Sequence, residues 1–362
     1  MRWSLRLGTI LGIKIYVHAS FLLIFAFIYF AQLTTRQTVT ARSFISESVL
    51  MLGVFFCVLL HEFGHAMAAR QFGIRTRDII LLPIGGVARL EKLPEKPLQE
   101  LWVAIAGPLV NVVIAAMLIP INAALIVKTS LDQVAGVVIT NFWFQLLMMN
   151  VMLVLFNLIP AFPMDGGRVL RALLALIMPY EKATLVAVRI GQLFAVVGGI
   201  VAYFINPFLA LTSLFVFMGA EQELQLLRFR NLFSGVPVYK TMLTEFRVVT
   251  PLNSLGQIAE LLQSGAQRDF PVLDRGQLVG HLSHDDILEG LRATGPDARV
   301  ADVMRTQYFM VDSFDLLEVI IPRMQSLQCT SLPVVHENRL VGLLTRANIE
   351  EYQVLQASSR NR

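Results

Sequence analysis

Five stretches of this chain contain no Asp, Glu, Lys or Arg: Ile15–Thr35, Ser48–His61, Leu101–Val127, Gln133–Met164 and Ile190–Ala220. A bilayer core of about 30 Å needs roughly 20 mostly apolar residues per helix. The pattern therefore predicts membrane-spanning helices near 15–34, 48–69, 100–127 and 134–158. The last stretch divides at Asn206-Pro207 into 184–205 and 208–224, because proline interrupts a helix. Six spans put both ends of this region on one side of the membrane. Buried helices of a soluble protein are the alternative, but uncharged runs this long and this many rarely fit a soluble core.

Beyond about residue 235 short apolar runs alternate with Gly, Asp and Asn, and the segment repeats itself. Thr241-Met242 returns as Val303-Met304, Phe270-Pro271-Val272 as Leu332-Pro333-Val334, Leu278-Val279-Gly280 as Leu340-Val341-Gly342, and Asp286-Ile287 as Asn348-Ile349, each displaced by 62 residues. A constant offset implies two copies of one small α/β unit. In each copy a helical stretch (Leu255 to Leu262; Leu316 to Leu327) precedes a Pro-Val strand. A turn (Asp274-Arg275-Gly276; Glu337-Asn338), a second strand and another helix follow. The expected organisation is a membrane domain over 1–230 and two α/β repeats over 238–294 and 300–356.

Composition strengthens the membrane reading: 55% of the 362 residues are hydrophobic and 15% charged, against about 45–50% and about 25% in ordinary globular domains. The net charge of +4, from 30 Lys and Arg against 26 Asp and Glu, is the excess that cytoplasmic loops carry, so no nucleic-acid partner is needed to explain it. With the N-terminus inside, the inner segments hold Arg2, Arg6, Lys14, Arg70, Arg75, Arg77, Arg89, Lys92, Lys96, Arg168, Arg171, Lys182, Arg228 and Arg230, and the outer loops only Arg36, Arg42 and Lys128. That asymmetry predicts cytoplasmic termini and a cytosolic repeat pair. No cleavable signal or transit peptide is expected, which points to a bacterial or archaeal plasma membrane. The two cysteines, Cys57 and Cys329, offer neither a disulfide framework nor a cysteine-rich zinc module.

The chemistry begins at His61-Glu62-Phe63-Gly64-His65. Residues i and i+4 share one helical face, so both imidazoles can bind one Zn²⁺ while the intervening carboxylate acts on a water. Ionisable groups inside a membrane segment are costly and by default mark function; a histidine pair snorkelling at a helix end is the alternative. A catalytic zinc usually takes three protein ligands and leaves one position open. The leading third ligand is Asp165 in Asn157-Leu158-Ile159-Pro160-Ala161-Phe162-Pro163-Met164-Asp165-Gly166-Gly167-Arg168. Its prolines and glycines break the helix, and irregular backbone at membrane depth is tolerated only when buried in protein or lining a wet cavity. An interfacial Asp165 beside Arg168 is the plain alternative, and Cys57 and His18 are rival ligands.

At these residues the chain resembles the site-2 protease family of intramembrane zinc metalloproteases. His61 to His65 fits the family's HExxH and Asn157 to Gly166 its NxxPxxxxDG. Pro83-Ile84-Gly85-Gly86-Val87 and Ala106-Gly107-Pro108-Leu109-Val110-Asn111 resemble further segments, and the likeness covers roughly 1–230. It implies one zinc per chain on His61, His65 and Asp165, and Glu62 as catalytic acid/base. It also implies Asn157 as a polar group near the scissile bond, and a Gly85-Gly86 loop where an extended substrate pairs with backbone. A helix C-cap and a simple turn are the respective alternatives for those last two.

The repeats resemble a tandem pair of CBS domains, modules that often bind adenine nucleotides. The family's ribose-contacting Gly-x-x-(Ser/Thr)-x-x-Asp is matched by Gly280, Ser283 and Asp286. In the second copy Gly342 and Thr345 match, but Asn348 replaces the carboxylate and makes weaker bonds to hydroxyls. One site at most is expected for ATP, ADP or AMP; a packing or homo-oligomerising role for the pair is the alternative. Together the resemblances imply an endopeptidase that cuts a transmembrane helix of another membrane protein under nucleotide control. A CBS-gated transporter or channel with a metal site, or a silent membrane scaffold, are the rival functions.

Overall fold

The computed structural model describes residues 3–35, 40–83, 85–91, 94, 96–127, 141–205, 207–265 and 267–360. Arg2, Arg36, Lys92 and Lys128 of the loop charges, Ile84, and the first residues of the expected 134–158 span lie outside them. The chain divides into two compact units, Met1–Leu227 and Arg228–Arg362.

The first unit opens with a sheet that a search for uncharged runs does not reveal. β1 (Ser4–Ile10) and β2 (Ile13–His18) form an antiparallel hairpin. β3 (Thr76–Leu82) lies parallel to β2, and β4 (Gly85–Leu90) pairs antiparallel with β3, giving the order β1-β2-β3-β4. The expected span 15–34 is thus corrected at its start. Ile13, Ile15 and Val17 alternate with Lys14, Tyr16 and His18, and this two-residue period makes a strand flanked by partners on both sides. Ile13 and Ile15 are buried while Lys14 is exposed. His18 is no metal ligand here: it ends the strand, and its Nδ1 accepts from Ser20 N at 3.2 Å to cap the turn Ala19–Leu22. The expected Gly85-Gly86 loop is also corrected, because both residues begin β4, on the sheet's edge.

Seven described helices begin in this unit: α1 (Leu23–Thr35), α2 (Ala41–Gln71), α3 (Pro97–Val127), α4 (Phe142–Asn157), α5 (Asp165–Leu174), α6 (Tyr180–Ile205) and α7 (Pro207–Phe233). Of these, α2, α3 and α6 are long and apolar enough to cross a membrane, and α1 and α4 are shorter apolar helices. Side-chain caps supply partners for first-turn N–H groups: Thr40 Oγ1 accepts from Ser43 N, and Asn141 Oδ1 accepts from Trp143 N and Phe144 N. Between α4 and α5 the chain is irregular, as Pro160 and Pro163 require. A Cβ on Gly166 would sit 2.2 Å from Ile159 O, so glycine lets the first turn of α5 fold back on this segment. Arg171, counted among the loop charges from sequence, is instead 2% exposed inside the unit.

In the second unit the two copies are laid out in the same way. α8 (Leu255–Ser264), β5 (Phe270–Asp274), β6 (Gln277–Leu282) and α9 (His284–Thr294) make the first copy. After a short helix α10 (Val300–Val303), the second has β7 (Val311–Asp312), α11 (Leu317–Leu327), β8 (Ser331–His336), β9 (Arg339–Thr345) and α12 (Arg346–Arg360). Both hairpins turn through two left-handed residues, Arg275 and Gly276 at φ 48° and 82°, and Glu337 and Asn338 at 47° and 65°. That backbone matches the strands' twist and joins β5 to β6 and β8 to β9 without splaying them. Each copy has its own apolar core, one around Ile258, Phe270, Val272 and Leu282, the other around Leu317, Leu332, Val334 and Leu344. The copies also exchange segments: Leu243, ahead of the first, pairs with Leu343 of β9, while Arg305, ahead of the second, pairs with His281 of β6.

Candidate metal centre

α2 brings His61, Glu62 and His65 into the first unit one turn apart, and α5 brings Asp165 as its first residue. His61 Nε2 lies 3.1 Å from His65 Nε2, and Asp165 Oδ2 lies 3.1 Å from each. All three residues are buried. The other nitrogen of each ring is committed. His65 Nδ1 meets Val103 O at 2.7 Å, an atom that only accepts, and His61 Nδ1 meets Asn111 Oδ1 at 2.5 Å. Asn111 turns its oxygen to the ring because its Nδ2 is donated to Asn150 Oδ1 at 2.8 Å. With a proton donated from each Nδ1, the Nε2 atoms are the ones left to bind a metal, and both face the same carboxylate oxygen.

Three ligand atoms drawn together in this way could hold a cation. Zinc bonds of about 2.0–2.1 Å in a tetrahedron give edges of about 3.3–3.4 Å, close to the 3.1 Å triangle found here. Gly107 of α3 leaves the space: a Cβ there would be 2.2 Å from His65 Nε2 and 2.7 Å from His61 Nε2. The residues present thus fit a zinc ion held by two neutral imidazoles and one carboxylate, with second partners fixing both rings.

Glu62 stands beside this cluster, against β4. Its Oε2 accepts from Ala88 N at 2.9 Å, and a Cβ on Gly86 would meet Glu62 Cγ at 2.5 Å. Gly86 is therefore required by the carboxylate's close approach to the strand. Gly85, at φ 136° and with nothing within 4 Å of an added Cβ, is in backbone territory that glycine occupies readily. Cys57 is not gathered with the metal-binding atoms; its Sγ accepts from Asn150 Nδ2 at 3.4 Å. Asn157 ends α4 with its Nδ2 donated to Leu153 O at 2.9 Å, and among the described residues no hydrogen bond ties it to the cluster.

Residues 49–198 match peptidase family M50, and residues 236–293 and 300–354 each match the CBS domain. Zinc metalloprotease MJ0392 of Methanocaldococcus jannaschii is 32% identical over 353 residues, covering 96% of both chains. The chain belongs to peptidase family M50. The protease is also similar to stage IV sporulation protein FB of Bacillus subtilis, 32% identical over 174 residues, 47% of this chain and 56% of that one. Among solved structures it is similar to the site-2 protease from M. jannaschii, at 36% identity and a TM-score of 0.46, covering 61% of this chain and 95% of that one. It is a zinc metalloprotease with a membrane-protease domain and a tandem CBS pair, and family membership decides against the transporter alternative.

The protease contains supporting residues to which the motifs gave no individual role. Asn111, Val103 and Gly107 serve the two histidines, and Ala88 serves Glu62. A signal was present on α3, where Glu100, Val103, Gly107 and Asn111 fall at i, i+3, i+7 and i+11, one helical face. In the CBS pair, Ser283 and Asp286 form a capping box at the start of α9, and Arg305 donates from Nε and Nη2 to Asp286 Oδ1 at 2.9 and 2.7 Å. Burial alone would raise the Asp286 carboxyl; the bonds from Arg305 and Ser283 outweigh it and hold the group below its ordinary value. Thr345 pairs with Asn348 in the corresponding place, its Oγ1 accepting from Asn348 N at 3.1 Å. The local reason for both patterns is helix capping.

Proposed function

We propose that this protease cleaves transmembrane helices of other membrane proteins, with one zinc per chain on His61, His65 and Asp165 and with Glu62 as general acid/base. The observation that carries this is the 3.1 Å triangle of Nε2, Nε2 and Oδ2 atoms, whose ring protons are committed elsewhere. When bound, zinc supplies Lewis acidity to a water and to the peptide carbonyl. Ala88 N–H pins Glu62 Oε2, which leaves Oε1 to take the water's proton and return it to the departing nitrogen. A helical substrate hides its carbonyls in its own hydrogen bonds, so a segment must be extended before attack. The edge of β4 at Gly85 and Gly86 is suited to receive that segment by strand addition, with Asn157 as the candidate polar group on the substrate side.

The domain division belongs to the same reading: a six-span protease domain over 1–230 in the plasma membrane, with cytoplasmic termini and cytosolic CBS domains over 238–294 and 300–356. The apolar helices and the distribution of Lys and Arg support it. Adenine nucleotide at Ser283 and Asp286, or more weakly at Thr345, then regulates proteolysis by favouring one conformation of the pair, which is also the route to homo-oligomers.

The test is cleavage of a single-span substrate by purified protein. Wild type loses activity to chelator and regains it with zinc, whereas Glu62→Gln binds zinc but is slower by about 10²–10⁴-fold, the range of general acid–base catalysis. Full activity of Glu62→Gln rejects the assignment. ATP, ADP and AMP are added to wild type and Asp286→Ala in parallel, and identical rates throughout reject the regulatory part.

A further inference from the structure

Arg171 of α5 is a buried arginine, 2% exposed, whose guanidinium is met by side chains from several elements. Nε and Nη2 donate to Glu100 Oε1 of α3 at 2.8 and 2.5 Å, and Nη1 donates to Glu223 Oε1 of α7. Its Cζ lies over the rings of Phe162 and Tyr180, 4.9 and 5.1 Å from their centroids. Two carboxylates meet one cation, and Glu100 Oε2 is buried with no hydrogen-bond partner among the described residues. An apolar residue would fill this space at less cost, since a buried ion pair is weak evidence for stability.

What the arginine holds is the helix of Asp165. The two residues are six apart on the ten-residue α5, about 9 Å along its axis. The anchor on α3 is equally telling. Glu100 lies on the face whose Val103 carbonyl and Asn111 amide fix the two histidines and whose Gly107 leaves them room. One side of α3 thus sets the orientation of both imidazoles and, through Glu100, the register of α5 against them.

We propose that Arg171 is a positioning residue for the metal centre: its fork between Glu100 and Glu223 fixes α5 so that the Asp165 carboxylate meets the two imidazoles. This rests on Asp165 being a zinc ligand.

The test uses the full-length protein in detergent. Zinc affinity of the stripped protein is measured by chelator competition, together with melting temperature and with kcat and KM on a single-span substrate. Arg171→Lys keeps the charge but cannot fork; zinc binding is expected to weaken by about 10- to 100-fold, the usual effect of losing an outer partner, and kcat to fall with KM unchanged. The double variant Arg171→Met with Glu100→Met removes the two most buried charges and keeps the volume, while Glu223, whose side chain is 19% exposed, still reaches water. It is expected to recover the melting temperature but not the zinc affinity. Wild-type zinc affinity and kcat in Arg171→Lys, or recovery of both properties in the double variant, overturns the proposal and leaves the cluster a packing device. Asp165→Asn separates the premise. If it retains wild-type affinity the ligand assignment fails and the proposal with it; if it alone loses zinc, only the positioning role fails.

Discussion

Gly107→Ala adds one methyl group at the place where the candidate metal centre has least room. The new Cβ would lie 2.2 Å from His65 Nε2, 2.5 Å from its Cε1 and 2.7 Å from His61 Nε2. Ordinary contact starts near 3.4 Å, so the His65 ring must retreat by about 1.2 Å, the difference between those two distances, or α3 must move as far. Zinc sites hold their bond lengths within about 0.2 Å, and a ring displaced several times that far stops being a ligand. The expected loss in zinc affinity is at least about 100-fold, or about 2.7 kcal/mol. Folding stability should change less, because overpacking costs about 1–3 kcal/mol while Ala gains about 1 kcal/mol over Gly within a helix. Gly198→Ala on α6 is the control, since its Cβ would meet only Ser213 Oγ, at 3.9 Å. The assay is chelator competition on the stripped protein, paired with a thermal melt. A Gly107→Ala protein that binds zinc as tightly as wild type would refute the proposed cradle, because no arrangement of these two rings around the metal would then depend on the space at 107.

Three further outcomes follow from the same geometry. Asn111→Leu removes the acceptor of the His61 Nδ1 proton and leaves Asn150 Oδ1 unpartnered; zinc affinity should fall by about 10- to 100-fold and stability by about 1–3 kcal/mol for each orphaned group. Unchanged affinity in chelator competition means that His61 is oriented by something else. Gly86→Val drives a side chain into Glu62 Cγ, so kcat should drop at least about tenfold while metal analysis finds the same zinc content; a protein that loses its zinc instead places the damage at the ligands. In the second unit, burial pushes the His281 imidazole below its ordinary value against the pull of Asp269 and Asp286, with Arg305 adding to the effect of burial. The unfolded chain then takes up the proton first, so stability falls as pH drops below about 6.5 and levels off once the folded ring is protonated. Protection of the β6 amides, taken relative to their intrinsic exchange rates, should therefore fall between about pH 7.5 and 5.5 in wild type but not in His281→Gln, and equal slopes would remove His281 as the cause.

What could be read in the sequence was whatever is carried by spacing along one element. His61 and His65 share a face because they are four apart, and the 62-residue offset brings the second copy's strands and turn after those of the first. Missed features depend on partners far away in the chain. The sheet β1-β2-β3-β4 escaped because absence of charge, the criterion for a span, is blind to the two-residue alternation of Ile13 to His18. Arg171 read as a loop charge because nothing nearby in sequence neutralises it; its partners are 71 and 52 residues away. Ser283 and Asp286 read only as ribose ligands, although Ser-x-x-Asp is also how a helix start satisfies its own N–H groups. Asn111 was noticed only as part of a segment, since the hydrogen bond to His61 spans 50 residues.

The bond from Ala88 N–H to Glu62 Oε2 ties a strand edge to a reacting carboxylate. In the mechanism proposed here the same strand receives the substrate, so the enzyme's selectivity lies in local unfolding rather than in side-chain recognition. A guest segment that extends along β4 keeps the strand in place and the base aimed; one that stays coiled offers no backbone donors or acceptors to pair. Two substrates with equal affinity for the membrane domain would then be cut at rates that differ by their helix-breaking residues. Glycine or proline near the cleavage point would matter more than any side chain on either side of it.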